Sequence, residues 1–324
     1  MRFAVRPTCE AAPDADGTQI ELLAPASPGK VGAAPQEGDG LLEGDYAKVE
    51  RMVAYCEAHP RRVPSPAEVG EALGLTQRQL QLLSRRWSGA SIERLLYYMS
   101  REYTSEQLRR ARVLLPHEFL GRNGVDMPGR KGPWRPLSLT YRERTSGTIE
   151  HSWQRSAIRY AFHESPFGTA LLAVCQWGIC GLIFVTDGRE SALAELGNTW
   201  PQANFVEDPL STAPLADSAF GRSDPEQPLP LFVEGTALQV QVWRALLCVP
   251  EGDVLTYEDL AERVGRPEAV RGIAQAVAHN PISYLIPCHR VVPKSGGSGN
   301  YGGGPLRKKA MLAWEAARTN REPR

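Results

Sequence analysis

Cys288 and His289 stand side by side in Ile286-Pro287-Cys288-His289-Arg290-Val291-Val292, and a carboxylate, Glu315, follows in a helical tail. A free cysteine, with a pKa of about 8.5, is mostly thiol at neutral pH, so using it as a nucleophile requires a group that takes its proton. An adjacent imidazole, oriented by an acidic partner directly or through water, supplies the nucleophile–base–orienter arrangement. A Cys–His pair alone is more often structural than catalytic. The elements around it must decide.

Those elements are helical. Thr236 is placed as the N-cap of a helix with Val240, Val242, Trp243, Leu246 and Leu247 on its apolar side, ending before Pro250-Glu251-Gly252. Thr256 and Asp259 form a capping pair at the start of the next helix. Gly265-Arg266-Pro267 is a turn, and Pro267 to His279 reads as a second short helix closed by Asn280-Pro281. Together they make a helix-turn-helix just ahead of the thiol. The glycine-rich loop from Gly296 to Gly304 lacks G-x-x-x-x-G-K-[ST] and implies no nucleotide site.

Seven sequence words run in order through this half: Val242-Trp243-Arg244-Ala245-Leu246, Thr256-Tyr257, Ala269-Val270-Arg271-Gly272, Asn280-Pro281, Pro287-Cys288-His289-Arg290-Val291, Gly299-Asn300-Tyr301, and Lys308 through Leu312 to Glu315. They resemble the active-site domain of O6-alkylguanine-DNA alkyltransferases, the methylated-DNA–protein-cysteine methyltransferases. The resemblance implies a Cys–water–His–Glu relay through Cys288, His289 and Glu315. It also implies single-use transfer of an alkyl group from O6-alkylguanine, with O4-alkylthymine as a second substrate, and no cofactor. Guanine O6 lies within the stack, so the base must be flipped out. By the same resemblance Arg271, with Ala269 and Gly272 on its helix, meets DNA and fills the vacated space. Tyr257 presses on the adjacent phosphate and assists protonation of the departing guanine. Asn280 buttresses the turn before the cysteine, Tyr301 closes the pocket, and Val291 and the glycine loop line it with backbone groups. Gly302 stands where many relatives carry serine, which leaves its backbone N–H as the donor expected at O6. A Cys–His hydrolase is disfavoured, since no oxyanion arrangement can be proposed.

The rest of the chain divides by composition. Residues 1–44 are rich in Pro, Gly, Ala and acids and are expected to be disordered, apart from the brief apolar patch Ile20-Glu21-Leu22-Leu23. Cys9 is alone there, and a zinc site needs about four ligands. Residues 45–115 carry a helix–turn–helix pattern. Ser65 caps a helix opened by Pro66, Gly74-Leu75-Thr76 is the turn, and Gln77 to about Trp87 is a second helix, with Leu80 and Leu83 inward. Arg78, Gln79, Ser84, Arg85 and Arg86 are expected outside. The alternative is an ordinary helical hairpin; the Arg/Gln-rich second helix favours DNA contact through Arg78 and Arg85. A single helix capped by Ser91 and running to about Leu115 completes a pattern resembling half of an AraC-type DNA-binding domain.

Residues 116–154 read as a basic linker or an eroded second helix-turn-helix. Residues 155–232 read as a β-meander with a helix, overlain by a loop over 207–230, and 233–324 as the active-site domain. Cys175 and Cys180 read as strand thiols rather than a metal pair. The expected fold class is α+β and multidomain: a helical front, a small β/α unit, and a mostly helical, winged-helix-like active-site unit. The order resembles Ada-type repair and regulatory proteins without their four-cysteine zinc domain. A regulator whose alkyltransferase half acts as a sensor is therefore the competing reading, with promoter DNA as its partner.

Formal net charge is zero, so nucleic-acid contact must come from local basic patches. Six scattered cysteines, no signal-like N-terminus and no apolar run long enough to span a membrane lead to the expectation of a monomeric cytoplasmic protein with reduced thiols.

Overall fold

The computed structural model describes residues 18–22, 44–114, 137–143, 157–221, 228–299 and 301–319. They form an α+β structure with eleven α-helices and a mixed seven-stranded sheet among the described residues.

The front is helical: α1 (Asp45–Ala58), α2 (Pro66–Leu73), α3 (Gln77–Ser88), α4 (Ile92–Tyr98) and α5 (Arg101–Leu114). Ser65 and Glu68 close a capping box on α2, and Thr76 and Gln79 another on α3. Gly74 joins the two helices at φ 69°, a left-handed conformation that costs a residue without Cβ nothing. Two expectations fail here. The helix after Ser91 is not continuous but breaks at Met99–Ser100, because Ser100 Oγ accepts a hydrogen bond from Tyr103 N–H and caps a new helix. Ser84 is buried rather than outside, its hydroxyl donating to the Ala90 carbonyl.

The sheet comprises β1 (Thr18–Leu22), β2 (Leu137–Glu143), β3 (Ala157–Ser165), β4 (Gly168–Cys175), β5 (Gly178–Phe184), β6 (Asn204–Glu207) and β7 (Leu229–Gly235), ordered β1-β2-β7-β5-β4-β3-β6. The meander expected from sequence is β3–β4–β5, antiparallel throughout. Four further strands extend it. Strand β1 lies within the segment expected to be disordered, and pairs antiparallel with β2 from Thr18↔Tyr141 to Leu22↔Leu137. Strand β2 lies within the expected linker and runs parallel to β7. Neither Thr-Gln-Ile-Glu-Leu nor Leu-Ser-Leu-Thr-Tyr is long enough to show its alternation above the surrounding breakers; each is stabilised by a partner remote in sequence. Strand β7 also crosses the expected boundary at residue 232. The expected loop over 207–230 contains α7 (Pro209–Ala219), started by Asp208, whose side chain accepts from Ser211 N–H, and by Pro209 at the first helical position. Helix α6 (Arg189–Thr199) packs on the other face of the sheet, over a core that includes both Cys175 and Cys180.

The C-terminal half adds α8 (Ala237–Leu247), β8 (Leu255–Thr256), α9 (Tyr257–Arg263), α10 (Val270–Ala278), β9 (Val291–Val292) and α11 (Pro305–Thr319). Helix α11 is the centre of the molecule: Arg307 through Ala317 are all buried. One side faces the Cys288 region, and the front helices cover the other. There Trp314 Nε1 donates to the Trp87 carbonyl at 3.0 Å, and Lys309 Nζ donates to Thr104 Oγ1 at 2.7 Å. A single hydrophobic core runs from α1 through one sheet face to α11. No helix among the described residues is long and apolar enough to cross a membrane.

Candidate active site

Cys288 opens a single 3-10 turn, Cys288–Arg290, between Pro287 and β9. Strand β9 is held by parallel pairing to β8, which leads directly into α9, so Thr256-Tyr257 and Cys288 are brought together by one two-stranded ladder. Thr256 caps α9 through its hydroxyl and Asp259, as its spacing predicts, which fixes Tyr257 at the first helical position.

Asn280 acts on the thiol directly. Its Nδ2 donates to the Ile286 carbonyl at 2.8 Å and lies 3.1 Å from Cys288 Sγ, while its Oδ1 accepts from Ile282 N–H at 3.0 Å. One amide therefore staples residues 280–288 and aims a donor at the sulfur. The Tyr301 hydroxyl lies 3.8 Å from the same sulfur. Burial pushes the thiol above its ordinary pKa, opposed by the Asn280 and Tyr301 contacts and by the Lys308 ammonium. At rest Cys288 is protonated, so a base is needed.

His289 Nε2 lies 2.8 Å from Glu315 Oε1. A carboxylate only accepts, so Nε2 carries the proton and Nδ1 presents its lone pair. Nδ1 is buried and has no hydrogen-bond partner among the described residues. Tyr284, the one described non-glycine residue with positive φ (71°), stacks its ring on the imidazole at 5.9 Å. Burial lowers the imidazole pKa below the ordinary histidine value; Glu315 opposes this, and Arg290 and Lys308 add to it.

Glu315 is fully buried and multiply held. Arg290 donates to it from Nε, 3.1 Å from each oxygen, and from Nη2 at 2.7 Å, and Gly252 N–H donates at 3.2 Å. Arg290 Nη1 donates onward to the Val249 carbonyl. Burial alone would raise the carboxyl pKa, but the Arg290 and His289 charges and hydrogen bonds outweigh it and hold it at about 2. Glu315 is thus a fixed anion shared between a guanidinium and an imidazole.

A cavity of about 400 Å³ opens onto the thiol, lined by Tyr257, Asn280, Ser283, Cys288, Tyr301 and Lys308 among others, with Gly302 and Gly303 along one wall. That volume lies in the range of small-molecule sites. A Cβ built on Gly302 meets nothing within 4 Å, so the glycine widens the cavity without being needed for packing. Burial raises the Tyr257 pKa, and the nearby Cys288 adds to it, so its hydroxyl keeps its proton.

Five expected residues, Cys288, Asn280, Tyr257, Tyr301 and Gly302, therefore meet at the cavity, while His289, next to Cys288 in sequence, pairs with Glu315 outside its lining. Val291 does not line the cavity. It is fully buried in β9 and its carbonyl accepts from Lys308 Nζ. Arg271 is exposed on α10, outside the cavity lining, with Ala269 and Gly272 half-buried beside it. Gly272 has a packing role: a Cβ there would lie 3.2 Å from Leu238 Cδ2 on α8. Arg78 and Arg85 are exposed on α3, in the front helices.

Sequence reasoning assigned no role to Lys308 or Arg290. Lys308 is buried against the cavity, and burial brings its pKa down to about 8, with Cys288 pulling it up and Lys309 pushing it further down. The available signal was its position seven residues before Glu315, two turns along the same helix face. Arg290 carried no such signal, because its partner lies 25 residues away.

A family model described as 6-O-methylguanine DNA methyltransferase, DNA binding domain, matches residues 237–317. The methylated-DNA–protein-cysteine methyltransferase of Mycobacterium tuberculosis strain H37Rv is 43% identical over 164 residues, covering 50% of this chain and 94% of that protein. The bifunctional transcriptional activator/DNA repair enzyme Ada of Escherichia coli K12 is 34% identical over 180 residues, 55% of this chain and 51% of that protein. The chain thus spans about half the length of the Ada proteins it matches. Among solved structures, the crystal structure of Mycobacterium tuberculosis O6-methylguanine methyltransferase aligns at 31% identity with a TM-score of 0.42, covering 51% of this chain and 96% of that one.

Proposed function

The chain belongs to the methylated-DNA–protein-cysteine methyltransferase family, and from that premise we propose that it repairs DNA by moving one alkyl group from O6-alkylguanine to Cys288. The observation that carries the reading is a buried thiol, Cys288, lining a cavity large enough for a small molecule and followed in sequence by a histidine that is buried and hydrogen-bonded to Glu315.

The flipped base enters the cavity with its O6-alkyl carbon toward Sγ. The Cys288 proton passes through a bridging water to His289 Nδ1, the atom left with a lone pair because Nε2–H is committed to Glu315. Sγ attacks the alkyl carbon in line, an S–C bond forms, and the C–O6 bond breaks with its electron pair going to the guanine. The Tyr257 hydroxyl, which is protonated at rest, passes a proton to the departing base, and the tyrosinate takes one back from solvent as the neutral guanine leaves. Imidazolium is stabilised by the Glu315 anion. The product is a thioether with no return path, so each molecule acts once. Arg271, exposed on α10, enters the space the base leaves, and the Gly302 N–H contacts O6.

The same proposal takes 233–324 as the active-site unit and 155–232 as its β/α partner, in a monomer that works in the cytoplasm and needs no cofactor. It takes residues 45–115 as a DNA-binding helix-turn-helix unit able to act in transcription. Support comes from the two capped helices about Gly74 and from the exposed Arg78 and Arg85.

The test is incubation with a duplex containing one O6-methylguanine, followed by mass analysis of the peptide bearing Cys288. One added methyl on that peptide, and loss of the lesion in equal amount, is expected. An intact lesion beside unmodified Cys288 refutes the proposal.

A further inference from the structure

Helix α3 has a fully committed inner face and an almost uncommitted outer one. Leu80, Leu83, Ser84 and Trp87 are buried. Of its flanking polar side chains, Gln79 caps Thr76, Gln81 donates to Glu93, and Arg86 is held by Asp45 at 2.7 Å. Gln77 at the first helical position, Arg78, Leu82 and Arg85 remain. The last three fall at i, i+4 and i+7, one stripe on the side away from the core. Neither arginine has an ion pair or hydrogen bond among the described residues. Leu82, 51% exposed, is one of three exposed large apolar side chains among the described residues, and it sits between those two cations.

We propose that Leu82 reads the methyl group of a thymine in the major groove of duplex DNA, with Arg78 and Arg85 contacting the groove on either side. The inference rests on the reading of α2–α3 as a DNA-binding unit. Seven residues of helix rise about 10 Å, roughly three base-pair steps. A helix crossing the groove with this stripe inward would therefore set one apolar contact between two cationic ones. An apolar side chain discriminates in the major groove only through the thymine C5-methyl, while arginine favours guanine or phosphate. Charge supports a polyanionic partner. Residues 44–114 hold twelve Lys or Arg against eight Asp or Glu in a chain of zero net charge. Four of those eight acids, Asp45, Glu57, Glu68 and Glu106, are already ion-paired within the molecule.

The experiment uses the full chain. A lesion-free pool of random duplexes is enriched for bound sequences, and each thymine of the enriched site is then replaced singly by deoxyuridine, which removes only the methyl. At one position the wild type should lose about fourfold in affinity, the equivalent of one buried methyl. Leu82→Ala should bind the thymine and deoxyuridine duplexes equally, and Leu82→Met should keep the discrimination. No enriched sequence, no position where the methyl matters, or discrimination that survives in Leu82→Ala overturns the inference. Should Leu82→Ala not fold, the deoxyuridine scan of wild type with Leu82→Met decides. Binding of acidic protein with no sequence choice among duplexes also overturns it. Methyl transfer to Cys288 from a short lesion-bearing oligonucleotide, measured on the same preparation, keeps the two readings apart. A protein that transfers but selects no sequence refutes only the Leu82 inference. One that selects but does not transfer refutes only the repair proposal.

Discussion

Replacing Arg290 with methionine should move the acid limb of the proposed transfer reaction rather than simply slow it. Glu315 is one buried carboxylate shared by two partners, His289 Nε2 at 2.8 Å and Arg290 Nη2 at 2.7 Å. While Arg290 neutralises that anion, His289 feels burial more than it feels Glu315, and its pKa sits below the ordinary value. Without the guanidinium, Glu315 attracts a proton onto the imidazole opposed only by burial and by Lys308. The His289 pKa rises, and below it the base is already occupied. Each unit by which the titration moves upward is a tenfold loss on the acid side. We therefore expect the single-turnover rate at pH 6 to fall by about tenfold or more. Above pH 8 the plateau should be unchanged or higher, because a more basic imidazole takes the thiol proton more readily. Stability falls as well. Removing one partner of a buried pair costs about 3–5 kcal/mol, which a domain of ordinary stability, about 5–15 kcal/mol, survives at 20 °C. Arg290→Lys keeps the charge and loses the fork, so its limb should stay close to the wild-type position. The assay is rapid-quench transfer to Cys288 between pH 5 and 9, with thermal melts to confirm folding. A folded Arg290→Met protein whose rate drops equally at every pH, or whose acid limb does not move, would refute the reasoning.

Three further outcomes follow from the same contacts. Asn280→Ala removes the donor at Sγ and leaves the Ile286 carbonyl unpaired, so iodoacetamide should label Cys288 about tenfold more slowly at pH 7.5, with about 1–3 kcal/mol lost in urea melts; unchanged labelling would count against Asn280 acting on the thiol. Lys308 is held at about 8 against an ordinary 10.5, so the unfolded chain keeps this proton to higher pH than the folded one. Its contribution to stability is fully present above 10.5 and is lost as pH falls through about 8. The stability of Lys308→Met relative to wild type should accordingly decline by on the order of 3 kcal/mol between pH 7 and 10.5, and a pH-independent difference would exclude this origin. Lys309, by contrast, faces Thr104 and Glu57 in the front helices; Lys309→Met should leave transfer within about twofold and cost little stability, since replacing a buried ion by an apolar chain of similar volume is often neutral. A large loss of transfer in that variant would show that the front helices support the site electrostatically.

The helix caps were legible because they are local. Ser65-Pro66, Thr76, Thr236 and Thr256 each satisfy helix N–H groups within three residues, and each caps the expected helix. The Met99–Ser100 break was equally local, yet a serine inside an apolar-periodic run does not announce that its hydroxyl caps the next helix. Strands β1 and β2 were invisible for a different reason. Each is a short segment among breakers, and its pairing energy comes from strands more than ninety residues away.

What the sequence determined by itself is the candidate set: a thiol beside an imidazole, a carboxylate in the tail, and the Tyr257 and Asn280 words that accompany them, because the proposed bond-making chemistry depends on residue type and order. What only the tertiary structure decided is the protonation state of that set. Burial of Cys288, the sharing of Glu315 between His289 and Arg290, and the Lys308 ammonium against the cavity arise where segments distant in sequence exclude water together. Charge–charge energies are set by distance and local dielectric, and neither exists until the chain has packed.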